Sequence, residues 1–230
     1  MTPSEINKIL VIPQEDKSSP VKSSEAEFIY NFLKECGIKL TLEIGFAYAK
    51  SASHIIAATQ SMHIVIDPFQ DRYNNLGIEN IKSLNFEKYL TFYNDYSHNI
   101  LPQLVRENRQ FDFILIDGDH KFDGEFIDFY YADLLLKNGG YILMHDTWMR
   151  STQLVVSFIK SNRKEYKLIK TPLRNFALFQ KEGGDQRNGM HFREFYTFRS
   201  LLVYNIITWL TNGKTSLIKR FVYAIKEKLK

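Results

Sequence analysis

Cysteine is nearly absent from this chain of 230 residues: Cys36 is the single one. A lone cysteine cannot close an intramolecular disulfide, so a disulfide-stapled scaffold is excluded and a reducing compartment is expected. Its place at the end of a helical pattern, beside Gly37, marks it as a small buried hydrophobe rather than a nucleophile. Long apolar runs are missing as well, and none approaches the ~18 residues that span a bilayer. The N-terminus, MTPSEINKIL, has no basic patch leading into an apolar stretch, so no signal peptide is expected. The chain is expected to be cytoplasmic. No internal repeat is present, which excludes a solenoid.

What is there is ordinary in bulk and uneven in charge. Hydrophobic residues make up 44% and charged residues 24%, as in soluble globular domains. The net charge of +4 is not spread evenly. From Arg187 to Lys230 there are nine lysines and arginines against two glutamates, so the rest of the chain is mildly acidic. An acidic body without a clear stacking motif argues against a nucleic-acid partner.

Three regions follow from the pattern. Residues 1–22 hold Pro3, Pro13, Pro20 and a polar run, and read as a loose arm. Residues 23–182 alternate strand-like and helix-like segments. Ser23 reads as an N-cap, and Gly37 as the stop of the helix it opens. Strands are expected at 40–45, 63–67, 90–93, 111–117, 141–144, 166–170 and 176–180. Helices are expected at 51–60, 76–84, 100–106, 124–136 and 152–160, with Pro102 in a first turn and Asn138-Gly139-Gly140 as a stop signal. Alternation of this kind implies parallel βαβ units in an α/β, doubly wound, Rossmann-like sheet. The last two strands are joined by a short turn and must be antiparallel. Residues 183–230 read as two basic amphipathic helices, one running through Phe195 to Trp209 and one through Leu217 to Leu229. This tail suits a lid or dimerisation arm, a peripheral helix on the inner face of the membrane, or simple packing on the domain.

In a doubly wound sheet, ligands bind beyond the carboxyl ends of the strands. Those ends carry Glu43 and Gly45, Asp67, Asp95, Asp117 through His120, and His145-Asp146. Gly45 permits a sharp turn and a close backbone approach. Ser51 opens the next helix, where its hydroxyl and amide can meet an anion. Asp67, 22 residues after Gly45, can accept hydrogen bonds from ribose hydroxyls.

The stretch from Glu43 to Ser51 resembles the first motif of the class I S-adenosylmethionine-dependent methyltransferases, with Ala49 in place of its last glycine. Asp117-Gly118-Asp119-His120 and His145-Asp146-Thr147 resemble a bacterial O-methyltransferase branch related to the catechol-type enzymes. The resemblance covers residues 23–181. It implies a mostly parallel seven-stranded sheet closed by an antiparallel hairpin strand. It also implies S-adenosylmethionine as cofactor, held by Glu43, Gly45, Tyr48, Ser51, Asp67, Asp95, Ser97 and Asp117. Asp95 and Ser97 fall in the segment that passes the adenine ring; the residue pattern leaves open which of them faces it.

The same resemblance places a divalent metal at Asp117, His145 and Asp146, where a mixed set of carboxylates and imidazole suits Mn²⁺ or another transition metal better than Mg²⁺. His120 stands at the position of the catalytic base and titrates in the right range for it, with Asp119 as an orienting partner. The expected reaction is methyl transfer to a hydroxyl of a small molecule or saccharide. Tyr48, Phe69, Tyr73 and Trp148 are candidates to stack on such an acceptor. Two alternatives stand beside it. A non-catalytic subunit would bind the cofactor without turnover. An NAD-dependent oxidoreductase would share Asp67 but needs Gly-x-Gly-x-x-Gly, of which only Gly45 is present.

Overall fold

The computed structural model describes residues 1–17 and 20–211. Seven strands form one sheet: β1 (Thr41–Ile44), β2 (His63–Ile66), β3 (Leu90–Tyr93), β4 (Phe111–Ile116), β5 (Leu136–Met144), β6 (Tyr166–Ile169) and β7 (Ala177–Lys181). Their order is β3-β2-β1-β4-β5-β7-β6. The first five are mutually parallel, and β7 runs antiparallel between β5 and β6. The helices are α1 (Pro3–Ile9), α2 (Ser23–Glu35), α3 (Lys50–Thr59), α4 (Leu76–Ser83), α5 (Ser97–Arg106), α6 (Phe122–Leu135), α7 (Arg150–Asn162) and α8 (Phe198–Thr211).

Both faces of the sheet are covered, so the central strands are apolar throughout rather than alternating. Ile114, Ile116, Ile142 and Met144 pack with Leu101 and Leu104 of α5, Phe129 and Ala132 of α6, and Val155 and Ile159 of α7. Phe113, Leu115 and Leu143 point the other way, against Ile29 and Leu33 of α2 and Ile55 of α3. The period of two along each strand thus assigns each residue to one helical layer.

Several local expectations are corrected. Lys22, not Ser23, is the N-cap of α2; the Glu25 carboxylate reaches back and accepts the Lys22 amide at 2.7 Å. Helix α5 begins at Ser97, so Pro102 lies in its interior rather than in its first turn. Asn138-Gly139-Gly140 falls inside β5, where the register with β4 shifts and Gly139 takes φ +84°. A Cβ on Gly140 would press against the Asp112 and Lys137 carbonyls at about 3 Å. Cys36 is exposed at the C-cap of α2, not buried.

Residues 1–22 are more than a loose arm. Helix α1 carries a capping box of Thr2 and Glu5, and its Ile6 is fully buried beside Tyr30, Ala57 and Leu84. Asn80 clamps the chain that follows, exchanging hydrogen bonds with the Val11 backbone at 2.8 and 3.0 Å. At the other end, α8 is not amphipathic as expected: its apolar residues are spread around the helix, and Leu201, Leu202 and Val203 in succession are each about 45% exposed. The helix expected at Leu217 to Leu229 lies outside the described residues. Among the described residues no helix is long and apolar enough to cross a membrane.

Candidate active site

A cavity of about 630 Å³ opens beyond the carboxyl ends of β1, β2 and β4, within the range of small-molecule sites. Its walls include Glu43, Gly45, Ser51, Asp67, Ser97, Asp117, His120 and Asp146. The sheet topology alone brings these distant positions together.

The turn after β1 is held by buried carboxylates. Gly45 sits at φ +96°, and a Cβ there would collide with the Asp117 carbonyl, so only glycine fits. Asp67 accepts the amides of Phe46 (2.8 Å) and Ala47 (3.1 Å) on one oxygen and that of Phe69 (2.6 Å) on the other. It therefore shapes the turn as well as facing the cavity. Glu43 accepts the Ser51 hydroxyl on one oxygen and meets His63 Nε2 at 2.8 Å on the other. His63 in turn meets the Thr41 hydroxyl at 2.8 Å. Burial pushes the Glu43 carboxyl above its usual range.

Two residues expected at the cofactor are directed elsewhere. Tyr48 is buried outside the cavity lining; its hydroxyl donates to Asp16 and its ring meets Tyr73 edge-on at 5.1 Å. Asp95 accepts the Tyr96 amide (2.7 Å) and the Asn99 side chain (2.9 Å), just ahead of α5. Its neighbour Ser97 faces the cavity instead. Of the aromatic candidates, Phe69 and Tyr73 line this cavity, while Trp148 lies outside it and is 70% exposed.

The reactive corner lies where β4 and β5 end. His145 is turned inward, with Nδ1 2.8 Å from Asp117 and Nε2 3.2 Å from Glu25 of α2. Both ring nitrogens are engaged, so His145 is not placed as a metal ligand. Burial alone would lower its pKa, but Asp117, Asp146 and Glu25 outweigh burial and lift it to about 9. His120 takes the outward position. Its Nε2 lies 3.6 Å from Asp146 and its Nδ1 lies 4.0 Å from Glu125 of α6. Glu125, with help from Asp117 and Asp146, holds the imidazole above its ordinary pKa. Asp119 is not the orienting partner: it accepts the Lys121 amide and side chain at 3.1 and 3.4 Å. Ligand atoms of Asp117, His120 and Asp146 all lie within 4.8 Å of one another. This set could hold a cation, and it replaces His145 by His120.

Three carboxylates escaped the sequence reading. Glu25 comes from a helix 120 residues before His145, with nothing local to flag it. Glu125 and Asp128 are acids on the inner side of α6, buried although flanked by aromatic residues. An acid on the apolar face of a helix is a usable signal, because burial without a purpose is costly. Glu125 accepts the Thr152 hydroxyl at 2.6 Å.

A protein-family model for a methyltransferase domain matches residues 42–147, the segment from β1 through the reactive corner. No curated protein matches the chain in sequence. Solved structures do. An O-methyltransferase of tomaymycin synthesis from Streptomyces achromogenes, in complex with S-adenosylmethionine, aligns with TM-score 0.65 at 14% identity, over 77% of this chain and 89% of its own. An O-methyltransferase from Bacillus cereus in complex with S-adenosylhomocysteine aligns with TM-score 0.61 at 15% identity, over 77% and 87%. The Podospora anserina methyltransferase PaMTH1, with S-adenosylhomocysteine bound, aligns with TM-score 0.62 at 14% identity, over 79% and 86%. Residues 42–147 thus resemble a methyltransferase domain, and the chain shares the fold of these enzymes.

Proposed function

We propose that this chain transfers the methyl group of S-adenosylmethionine to a hydroxyl oxygen of a small molecule or saccharide. One observation carries the proposal: a single cavity joins the strand-end turn at Gly45, Ser51 and Asp67 to His120 and Asp146. The sulfonium methyl is already electrophilic, so the protein needs only to align the nucleophile with it. The acceptor hydroxyl gives its proton to His120 as its oxygen attacks the methyl carbon. The carbon–sulfur bond breaks, and S-adenosylhomocysteine leaves. Glu125 and Asp146 favour the protonated imidazole that results. The cofactor complexes named in the related structures support the same cofactor here.

A metal-assisted version has its own observation, the convergence of Asp117, His120 and Asp146. Two carboxylates and an imidazole fit a divalent transition metal such as Mn²⁺. A cation there supplies charge that lowers the pKa of an acceptor hydroxyl, and His120 then serves as a ligand rather than as the base.

Calorimetry separates the readings. S-adenosylmethionine is expected to bind and NAD is not; binding of NAD alone would overturn the proposal. His120→Ala should retain cofactor affinity while release of S-adenosylhomocysteine, assayed over a panel of hydroxylated acceptors, falls by about 10²-fold or more. Turnover equal to wild type removes His120 from the base role. Mn²⁺ heats that are unchanged in Asp146→Asn remove the metal.

A further inference from the structure

A second groove, of about 730 Å³, runs along α7 from Thr147 and Trp148, the residues that follow Asp146 in the chain. One wall is a stripe of α7 from Arg150 through Gln153 and Ser157 to Lys160, positions that share a helix face. The other wall includes Tyr196, Phe198 and Arg199 at the start of α8. Two hydrogen bonds pin the walls together: Ser157 donates to the Tyr196 carbonyl and Arg150 to the Ser200 hydroxyl, each at 2.8 Å.

Among the described residues, the lining contains three cations, Arg150, Lys160 and Arg199, and no carboxylate. That is unexpected beside an acidic body and next to a corner built from Asp117, Asp146, Glu25 and Glu125. Like charges gathered in a groove repel one another unless an anion joins them. Arg150 uses one guanidinium nitrogen on Ser200, which leaves further donors of its planar fork for a ligand. Arg150 and Lys160 are ten residues apart on the helix, or about 15 Å, so an extended ligand can meet both.

The groove also touches the reactive corner. Trp148 lines it, and the indole Nε1 donates to Asp146 at 2.9 Å. Asp146 in turn stands 3.6 Å from His120. A molecule lying along α7 past Trp148 would thus reach the corner with its other end.

We propose that this groove binds the methyl acceptor through an anionic group, a phosphate or a carboxylate, held by Arg150, Lys160 and Arg199, with Trp148 at the junction with the methyl-transfer cavity. Anion binding by the groove stands on its own residues; its assignment to the acceptor rests on the methyltransferase reading. The test is titration calorimetry of the full chain at low ionic strength, with inorganic pyrophosphate and with citrate, in the wild type and in the Arg150→Ala/Lys160→Ala double variant. S-adenosylhomocysteine is titrated into both proteins. The anions are expected to bind the wild type and to bind the double variant at least about tenfold more weakly, the loss of charge-assisted hydrogen bonds. S-adenosylhomocysteine is expected to bind both equally. Tighter pyrophosphate supports a phosphate-bearing acceptor, and tighter citrate a carboxylate. No heat from either anion, or equal affinity in the double variant, overturns the groove. If S-adenosylhomocysteine fails to bind the wild type while the anions behave as expected, the groove stands and the acceptor assignment falls.

Discussion

Asp128 illustrates what burial does to one carboxyl. It lies on α6 behind Gly118 and is 1% exposed. Ser97 is near enough to ease its ionised form slightly, but neither oxygen has a partner at hydrogen-bonding geometry. Burial lifts its pKa from 3.8 to about 7. Between those values the folded protein holds a proton that the unfolded chain has released. Its stabilising share is therefore complete below about pH 4 and is lost as pH rises toward 7. Asp128→Asn should flatten this part of the profile and make the protein more stable than wild type above pH 7, by up to about 4 kcal/mol. Urea melts from pH 4 to pH 8.5 measure it; parallel profiles for the two proteins would show that the raised pKa is wrong. At this scale the sequence was partly legible. Gly45, Asp67, Asp117, His120 and Asp146 were placed by the strand-end rule alone. The orientation of His145 was not, because one of its partners is Glu25, whose helix packs against the sheet from far away in the chain.

Helix α1 shows how an element can be missed when its signals are brief. Prolines and a polar run suggested a loose arm, yet Thr2-Pro3-Ser4-Glu5 is a capping box with proline at the first helical position. Seven residues cannot sustain an isolated helix in water. Ile6, fully buried against α2 and α3, supplies the missing stability. Removing the side chain should cost more than removing the cap. Ile6→Ala is expected to cost about 2–4 kcal/mol and Thr2→Ala about 1 kcal/mol or less. Thermal melts of both variants give the comparison, and limited proteolysis before Val11 should accelerate in Ile6→Ala. Equal losses would mean that α1 is held by its cap rather than by its docking. The start of α5 was misjudged in the same way: it lies at Ser97, three residues before the expected Ile100, and its N-cap Tyr96 makes no side-chain cap hydrogen bond that could mark it. The antiparallel pairing of β6 with β7 was legible because so short a turn permits nothing else. The bulge in β5 was not, since two glycines after a helix read equally well as a stop.

At the scale of the whole molecule, the cavity is where separate parts of the chain are joined. Its lining runs from Pro20 and Val21, ahead of α2, through the ends of β1, β2 and β4 to Asp146 after β5. Those parts meet only when the sheet is formed in full, so the unfolded chain has no equivalent site. A ligand that binds only the folded state stabilises it by an amount set by its concentration over its Kd. S-adenosylhomocysteine at a hundred times its Kd should add about 2.7 kcal/mol. For a chain of this length that is a rise in Tm of roughly 5–10 °C. NAD at the same concentration should give none, because the turn after β1 has one glycine where a dinucleotide site needs three. Gly45→Ala is the matched control: its Cβ has no room beside the Asp117 carbonyl, so the turn must move and the rise should vanish. Differential scanning fluorimetry with both ligands on both proteins decides it. A rise with NAD as large as that with S-adenosylhomocysteine would remove the methyltransferase reading, whereas a rise with S-adenosylhomocysteine preserved in Gly45→Ala would move the cofactor away from this turn.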